Sequence, residues 1–119
     1  MTFGEWELLA KQGIAEAEYN LGLMFSRGKE VPRDDKKAVK WYRLAAEQGL
    51  AQSQTNLGLM FGKGQGVEQD YVKAHKWFNI AGVNGNKIGR RNTDIVEKKM
   101  PPGQIAVAVG LTRKWLEKL

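Results

Sequence analysis

The side chains that most often do chemistry in proteins are sparse in this sequence of 119 residues. There is no cysteine, which excludes disulfides, thiolate metal sites and a cysteine nucleophile. The only histidine, His75, has no cluster of acidic residues at metal-ligand spacing around it, so we expect it at a surface position on a helix. These residue types predict no metal ion and no other cofactor.

Two further patterns could serve hydrolysis or phosphate binding, but neither has the required context. The serines, Ser26 and Ser53, lie in no Ser-x-x-Lys or Gly-x-Ser-x-Gly motif. The segment Gly64-Gln65-Gly66 is rich in glycine like a phosphate-binding loop, yet no strand is expected before it and no Gly-Lys-Ser/Thr follows. The sequence therefore predicts that the chain is not an enzyme.

The net charge of +6 is concentrated near the C-terminus, where residues 86–119 hold 8 basic and 3 acidic side chains. Such a basic segment can attract nucleic acid, anionic lipid or an acidic protein, although it is more often a solvated helix face. No nucleic-acid-binding motif accompanies it, so we expect no nucleic-acid partner. The basic residues that define this alternative are Lys87, Arg90, Arg91, Lys98 and Lys99.

No stretch of the sequence approaches the roughly 18 to 20 apolar residues that a membrane-spanning helix needs. Residues 1–12 also lack the basic and apolar regions of a signal peptide. We expect no membrane span, and the compartment stays open between the cytoplasm and, if a leader has been removed, the periplasm or the cell exterior.

An internal repeat positions all of these residues. Gly13, Gly49 and Gly85 are spaced 36 apart, and residues 13–48 align with residues 49–84 without a gap, with 16 of 36 pairs identical. In each copy, apolar residues at helical spacing predict a helix A, over about 15–27 and 51–63. A second helix B follows in each copy, with Asp34 and Asp70 as the N-caps.

Two kinds of residue indicate close packing between these helices. Gly22 and Gly58 interrupt helix A at a cost of about 1 kcal/mol each, which suggests that another helix approaches closely there. The aromatic residues of helix B supply bulky partners, and we predict that all four belong to the core. They are Trp41, Tyr42, Trp77 and Phe78.

The first copy reads A-E-A-E-Y-N-L-G-L-M-F-S-R-G and then V-P-R-D-D-K-K-A-V-K-W-Y-R-L-A-A-E-Q-G. It resembles the Sel1-like repeat, a relative of the tetratricopeptide repeat. The resemblance implies an all-α fold in which antiparallel helix pairs stack into a right-handed superhelix, or solenoid. The first copy departs from the family at Glu30, where the second copy has Gly66.

We predict one domain over residues 1–119. It comprises a partial repeat at 1–12, full repeats at 13–48 and 49–84, a degenerate repeat at 85–99 and a C-terminal capping helix at 100–119. Pro101 and Pro102 fit the start of that helix. Its predicted inner face consists of Ile105, Val109, Thr112 and Leu116.

The resemblance also implies a role, because repeats of this kind serve as adaptors that hold a partner segment on a concave surface lined by the A helices. On helix A, a second stripe lies roughly 110° around from the buried face, at about 100° per residue. Its amide, apolar and basic rows would suit an acidic protein or peptide partner. The predicted binding residues are Glu16, Asn20, Leu23, Arg27, Gln52, Asn56, Leu59, Lys63, Asn92 and Lys99.

Other interpretations of these rows and of the chain stay open. The asparagines could bond to neighbouring backbone and the leucines could pack between repeats. A β-lactam-related hydrolase is disfavoured, because the relatives linked with that chemistry have disulfide-tied repeats. We expect a monomer, a weak homo-oligomer associating through Phe3, Trp6 and Leu9, or a piece of a longer array.

Overall fold

A computed structural model describes all 119 residues, and it contains seven α-helices and no strand. Each of the first six helices packs against the next, and the last helix packs on the fifth. The prediction of an all-α solenoid is confirmed. The helices are α1 (Phe3–Lys11), α2 (Ala15–Arg27), α3 (Asp35–Glu47), α4 (Ala51–Lys63), α5 (Tyr71–Val83), α6 (Lys87–Glu97) and α7 (Pro102–Leu116).

The repeated residues begin and end the helices as the sequence predicts. The carboxylates of Asp34 and Asp70 accept hydrogen bonds from the backbone N–H groups of Lys37 and Lys73, at 3.1 and 3.0 Å. At the other end, Gly28 and Gly64 adopt left-handed backbone conformations, each with φ of 68°, and terminate α2 and α4. The two A helices, α2 and α4, therefore have the same length and phase.

The loop after α2 has the same left-handed turn as the loop after α4, although its residue differs. Glu30 has φ of 65° and Gly66 has φ of 72°. A Cβ atom at Gly66 would collide with the backbone of Asp35 in the preceding repeat. Glu30 is exposed, so a side chain fits at this position in the first copy.

Close approach of helices A and B accounts for the mid-helix glycines. A Cβ atom at Gly22 would lie 2.5 Å from the Tyr42 ring, and one at Gly58 would lie 2.6 Å from the Phe78 ring. Both rings are buried, as is Trp77. Trp41 is only half-buried, contrary to prediction, because α7 covers α5 and no equivalent helix covers α3.

The prediction that His75 is a surface residue is wrong. Its side chain is fully buried, and Nε2 lies 2.8 Å from Oε2 of Glu97, while Nδ1 has no hydrogen-bond partner. His75 occupies the place that Val39, also buried, holds in the first repeat. The aligned valine was therefore the signal that this histidine would be buried.

The C-terminal helix begins at the prolines as predicted, with Pro101 as N-cap and Pro102 as the first helical residue. Its inner face differs in part from the prediction, because the buried residues are Ala108, Thr112 and Trp115, whereas Val109 is 37% exposed. The indole of Trp115 packs edge-on against Trp77 at 6.1 Å and sets this orientation. No helix of the chain has the length and apolar character needed to cross a membrane.

At the other end, α1 covers the first repeat. Phe3 packs edge-on against Phe25 at 5.6 Å, and Trp6 and Leu9 also contact the core. These side chains are half-buried rather than freely exposed, because the first A helix needs a neighbour on this side. If two copies of the chain associate through these three residues, only the exposed parts of their side chains can take part in the contact.

Candidate functional site

Three hollows lie in a row along the surface formed by the A helices α2 and α4 and by α6. The first, of about 140 Å³, lies beside α1 and α2; the second, of about 200 Å³, lies between α2 and α4; and the third, of about 170 Å³, lies between α4 and α6. We call this row the A-helix groove. It is an open surface on the solenoid, unlike an enclosed reaction cavity.

The repeat itself builds the groove. Eight of the nine residues that line the second hollow are matched, 36 positions later, by residues that line the third. Asn56 and Asn92 are one such pair, as are Lys63 and Lys99. Asn20, Leu23 and Arg27 line the first hollow, so most of the predicted binding residues lie together along the groove.

The cationic row of the groove has no acidic partners within the chain. Arg27, Lys63 and Lys99 are exposed, and no carboxylate oxygen lies within 4.0 Å of any of them. The Lys99 ammonium lies 5.9 Å from the centre of the Tyr71 ring, at the third hollow. Three free positive charges thus follow the groove, one for each repeat.

The amide row is half-buried and largely free for a ligand. The side chains of Asn20 and Asn92 make no hydrogen bond within the chain, and Asn56 has the Tyr42 hydroxyl as a polar neighbour. Burial raises the pKa of Tyr42, and the neighbouring polar side chains of Ser26 and Asn56 offset that rise in part. Tyr42 therefore remains a neutral phenol that presents a polar atom at the floor of the second hollow.

The apolar row separates the amides from the cations. Leu23 and Leu59 are half-buried and each borders two adjacent hollows. Ile95 continues the row on α6 and is 47% exposed. The leucines pack between repeats while keeping accessible surface, so they can contribute to the core and to a binding surface together.

Two of the predicted binding residues lie outside the hollows. Glu16 and Gln52 are exposed in the first turns of α2 and α4 and line none of the three. Conversely, the sequence predicts only a core position for Tyr42 and Phe78, although they also form the floors of the second and third hollows. The glycines at positions 22 and 58, which let these rings reach across helix A, were the signal for that second role.

The basic residues of the C-terminal third do not act as one group. Lys99 lines the third hollow, whereas the Arg90 guanidinium donates a hydrogen bond to the carbonyl of Gly82 at 3.2 Å. Lys87, Arg91 and Lys98 are exposed. The structure thus places one of the five cations in the groove and uses another to join α6 to the end of α5.

Buried polar side chains connect successive repeats away from the groove. Gln54 donates a hydrogen bond to the carbonyl of Ala46 at 3.1 Å and accepts one from Asn84. The first repeat has Glu18 at the position of Gln54, and Gln48 donates to it at 2.7 Å. Burial raises the pKa of the Glu18 carboxyl, and the hydrogen bond from Gln48 opposes that rise.

Comparison with known proteins agrees with this geometry. The family model described as Sel1 repeat matches residues 15–50 and 51–86. No curated protein sequence matches the chain.

The solved structures that are similar to the chain include two proteins with this repeat fold. One is a protective antigen present in uropathogenic Escherichia coli strains that displays an SLR fold, with a TM-score of 0.95 and 38% identity over 98% of this chain. The chain covers 25% of that structure's length. The other is a Sel1 repeat protein from Oxalobacter formigenes, with a TM-score of 0.73, 31% identity, and coverage of 75% of this chain and 67% of that one.

Proposed function

Because the chain belongs to the Sel1 repeat family, whose members are generally protein–protein interaction scaffolds, we propose that it is a non-enzymatic adaptor that binds an acidic partner segment in the A-helix groove. The observation that supports this most is the row formed by Arg27, Lys63 and Lys99. Each cation is exposed, lacks a carboxylate partner and lies beside an apolar and an amide side chain.

The typical free energies of these interactions indicate what each row of the groove contributes to binding. An exposed ion pair contributes about 0.2 to 1 kcal/mol, so three pairs steer the partner and fix its position more than they set affinity. Apolar contact with Leu23, Leu59 and Ile95 contributes about 25 cal/mol for each Å² removed from water. The asparagine amides then supply hydrogen bonds to the backbone of an extended partner.

A binding titration tests the proposal. The probe is a fluorescein-labelled synthetic peptide of alternating glutamate and leucine, and the readout is fluorescence anisotropy at low and at physiological salt. Lys63→Glu replaces one attraction with a repulsion and should weaken binding about tenfold, with less effect as salt rises. The peptide in which lysine replaces each glutamate should not bind.

Lys36→Glu is the matched control, since Lys36 is exposed on α3 and lines none of the hollows. It makes the same change in net charge and should alter affinity by less than about twofold. Equal losses in the two variants would contradict groove binding and indicate a response to overall charge. Affinity capture from the native host, with wild type against Asn56→Ala plus Lys63→Glu, extends the test to natural partners; equal recovery by both would oppose the proposal.

A further inference from the structure

The second and third hollows share one frame but differ at the floor. Ser26 and Tyr42 in the second hollow are replaced by Gly62 and Phe78 in the third. Both replacements remove a hydroxyl group, and the glycine also removes a side chain. Resting on the adaptor function proposed above, we propose that the third hollow is the specificity pocket of the groove and that it takes a leucine or similar aliphatic side chain of the acidic partner segment.

The lining of the third hollow supports an aliphatic occupant. Tyr71, Phe78, Ile95 and Val96 present carbon surface, and Gly62 leaves the space open. A Cβ atom at Gly62 would meet only Ala74 at 3.8 Å, so this glycine is not required by helix packing. The Tyr71 hydroxyl accepts a hydrogen bond from Gln69 at 3.4 Å, so an aliphatic side chain can enter this hollow without covering a hydroxyl that lacks a partner.

The second hollow has the opposite preference. Its floor carries the Tyr42 hydroxyl, with Ser26 and Asn56 as polar neighbours. An aliphatic side chain placed there would remove water from these groups without replacing its hydrogen bonds. A polar side chain of the partner, such as glutamine, could replace them, so the two hollows discriminate between adjacent positions of one segment.

The spacing of the helices sets the pattern that the groove would recognise. Packed helices lie about 8 to 10 Å apart, and an extended chain advances about 3.3 Å for each residue. The A helices α2 and α4 pack mainly through α3 and less closely with each other, so one repeat corresponds to three or more residues of the partner. The recognised segment carries an acidic residue at about every third position, to pair with Arg27, Lys63 and Lys99, and an aliphatic residue between the last two.

Two synthetic fluorescein-labelled peptides provide the probes. Both carry glutamate at every third position; the first has a leucine between the last two glutamates, and the second has glutamine there. The exchange variant Gly62→Ser plus Phe78→Tyr gives the third hollow the floor of the second. The reciprocal variant Ser26→Gly plus Tyr42→Phe gives the second hollow the floor of the third.

We expect wild type to bind the leucine peptide about tenfold more tightly than the glutamine peptide, and the exchange in the third hollow to abolish that difference. The reciprocal variant should retain it. Circular dichroism melts check that both variants fold, and Gly62→Ser alone provides a milder version that should reduce the preference in part.

The outcomes separate this inference from the proposed function. If wild type binds both peptides equally and the exchange changes neither affinity, the specificity pocket is wrong and the adaptor groove stands. If wild type binds neither peptide while it does bind the alternating glutamate–leucine probe, the three-residue pattern and with it the pocket are wrong. Failure to bind any acidic peptide would overturn the pocket and the groove together.

Discussion

The two full repeats have nearly the same backbone and different polar chemistry. Both begin helix B at an aspartate and end helix A at a left-handed glycine. Where the first repeat has Glu18, Val39 and Tyr42, however, the second has Gln54, His75 and Phe78. Capping and glycine residues therefore fix the backbone frame, while a few buried positions set the interactions that each copy can make.

Placing a histidine at position 39, the equivalent of His75 in the first repeat, should have the largest effect on stability. His75 reaches Glu97, but the residue 36 positions before Glu97 is Phe61, so a histidine at position 39 would find no acid there. We expect Val39→His to lower the free energy of unfolding by about 3 kcal/mol, because it buries an unpaired polar ring. Urea denaturation measures this effect.

The reverse change, His75→Val, is the control for that experiment. It removes the buried Nδ1 that lacks a partner and leaves Glu97, which is already partly exposed, free to contact water. We expect the free energy of unfolding to change by less than about 1 kcal/mol. Equal destabilisation by the two variants would show that the repeats are not distinguished by their polar partners.

The mid-helix glycines should behave alike in both repeats. Gly22→Ala and Gly58→Ala each place a methyl group against an aromatic ring, and each should cost about 2 kcal/mol despite the better helix propensity of alanine. Gly62→Ala has room and should stabilise α4 by about 0.5 to 1 kcal/mol. Thermal unfolding compares the three; a stabilised Gly58→Ala variant would contradict the close packing.

A smaller and pH-dependent effect should distinguish Glu18 from Gln54. Gln54 and Arg90 donate hydrogen bonds to the carbonyls of Ala46 and Gly82, and an ionised Glu18 cannot donate to the equivalent carbonyl of Ala10. We expect Glu18→Gln to stabilise the protein by about 1 kcal/mol at neutral pH.

The pH profile follows from the raised pKa of Glu18. The folded wild type binds the Glu18 proton more tightly than the unfolded chain, so this group favours folding below its ordinary pKa of 4.5 and loses that contribution as pH rises through the folded value. The advantage of Glu18→Gln should therefore shrink as pH falls towards 4.5. An advantage that grows in acid would contradict burial of this carboxyl.

The sequence predicts the frame well because its signals are local. A helix end often has a residue tolerant of left-handed geometry, and a helix start favours a short polar side chain; Gly28, Gly64, Asp34 and Asp70 meet these preferences regardless of the rest of the fold. The period of 36 then repeats each signal, so α2 and α4 fall on the predicted residues.

The sequence predicts less where the outcome depends on contacts between distant segments. His75 is buried because the aligned valine position is buried, whereas its side chain alone suggested a surface position. The inner face of α7 depends on the fit of Trp115 against Trp77, which no local pattern encodes. The division of the groove into separate hollows, with Tyr42 and Phe78 as floors, also requires the packed structure.

An NMR titration of the ¹⁵N-labelled protein with the acidic leucine peptide tests directly whether a partner binds in the A-helix groove. We expect chemical-shift changes to concentrate in α2, α4 and α6 along the groove, with the largest near Lys63, Asn92 and Ile95, and the exposed face of α3 to stay unchanged. Shifts concentrated on α3 or on the last turn of α7, which carries Arg113 and Lys114, with the groove unaffected, would contradict binding in the groove.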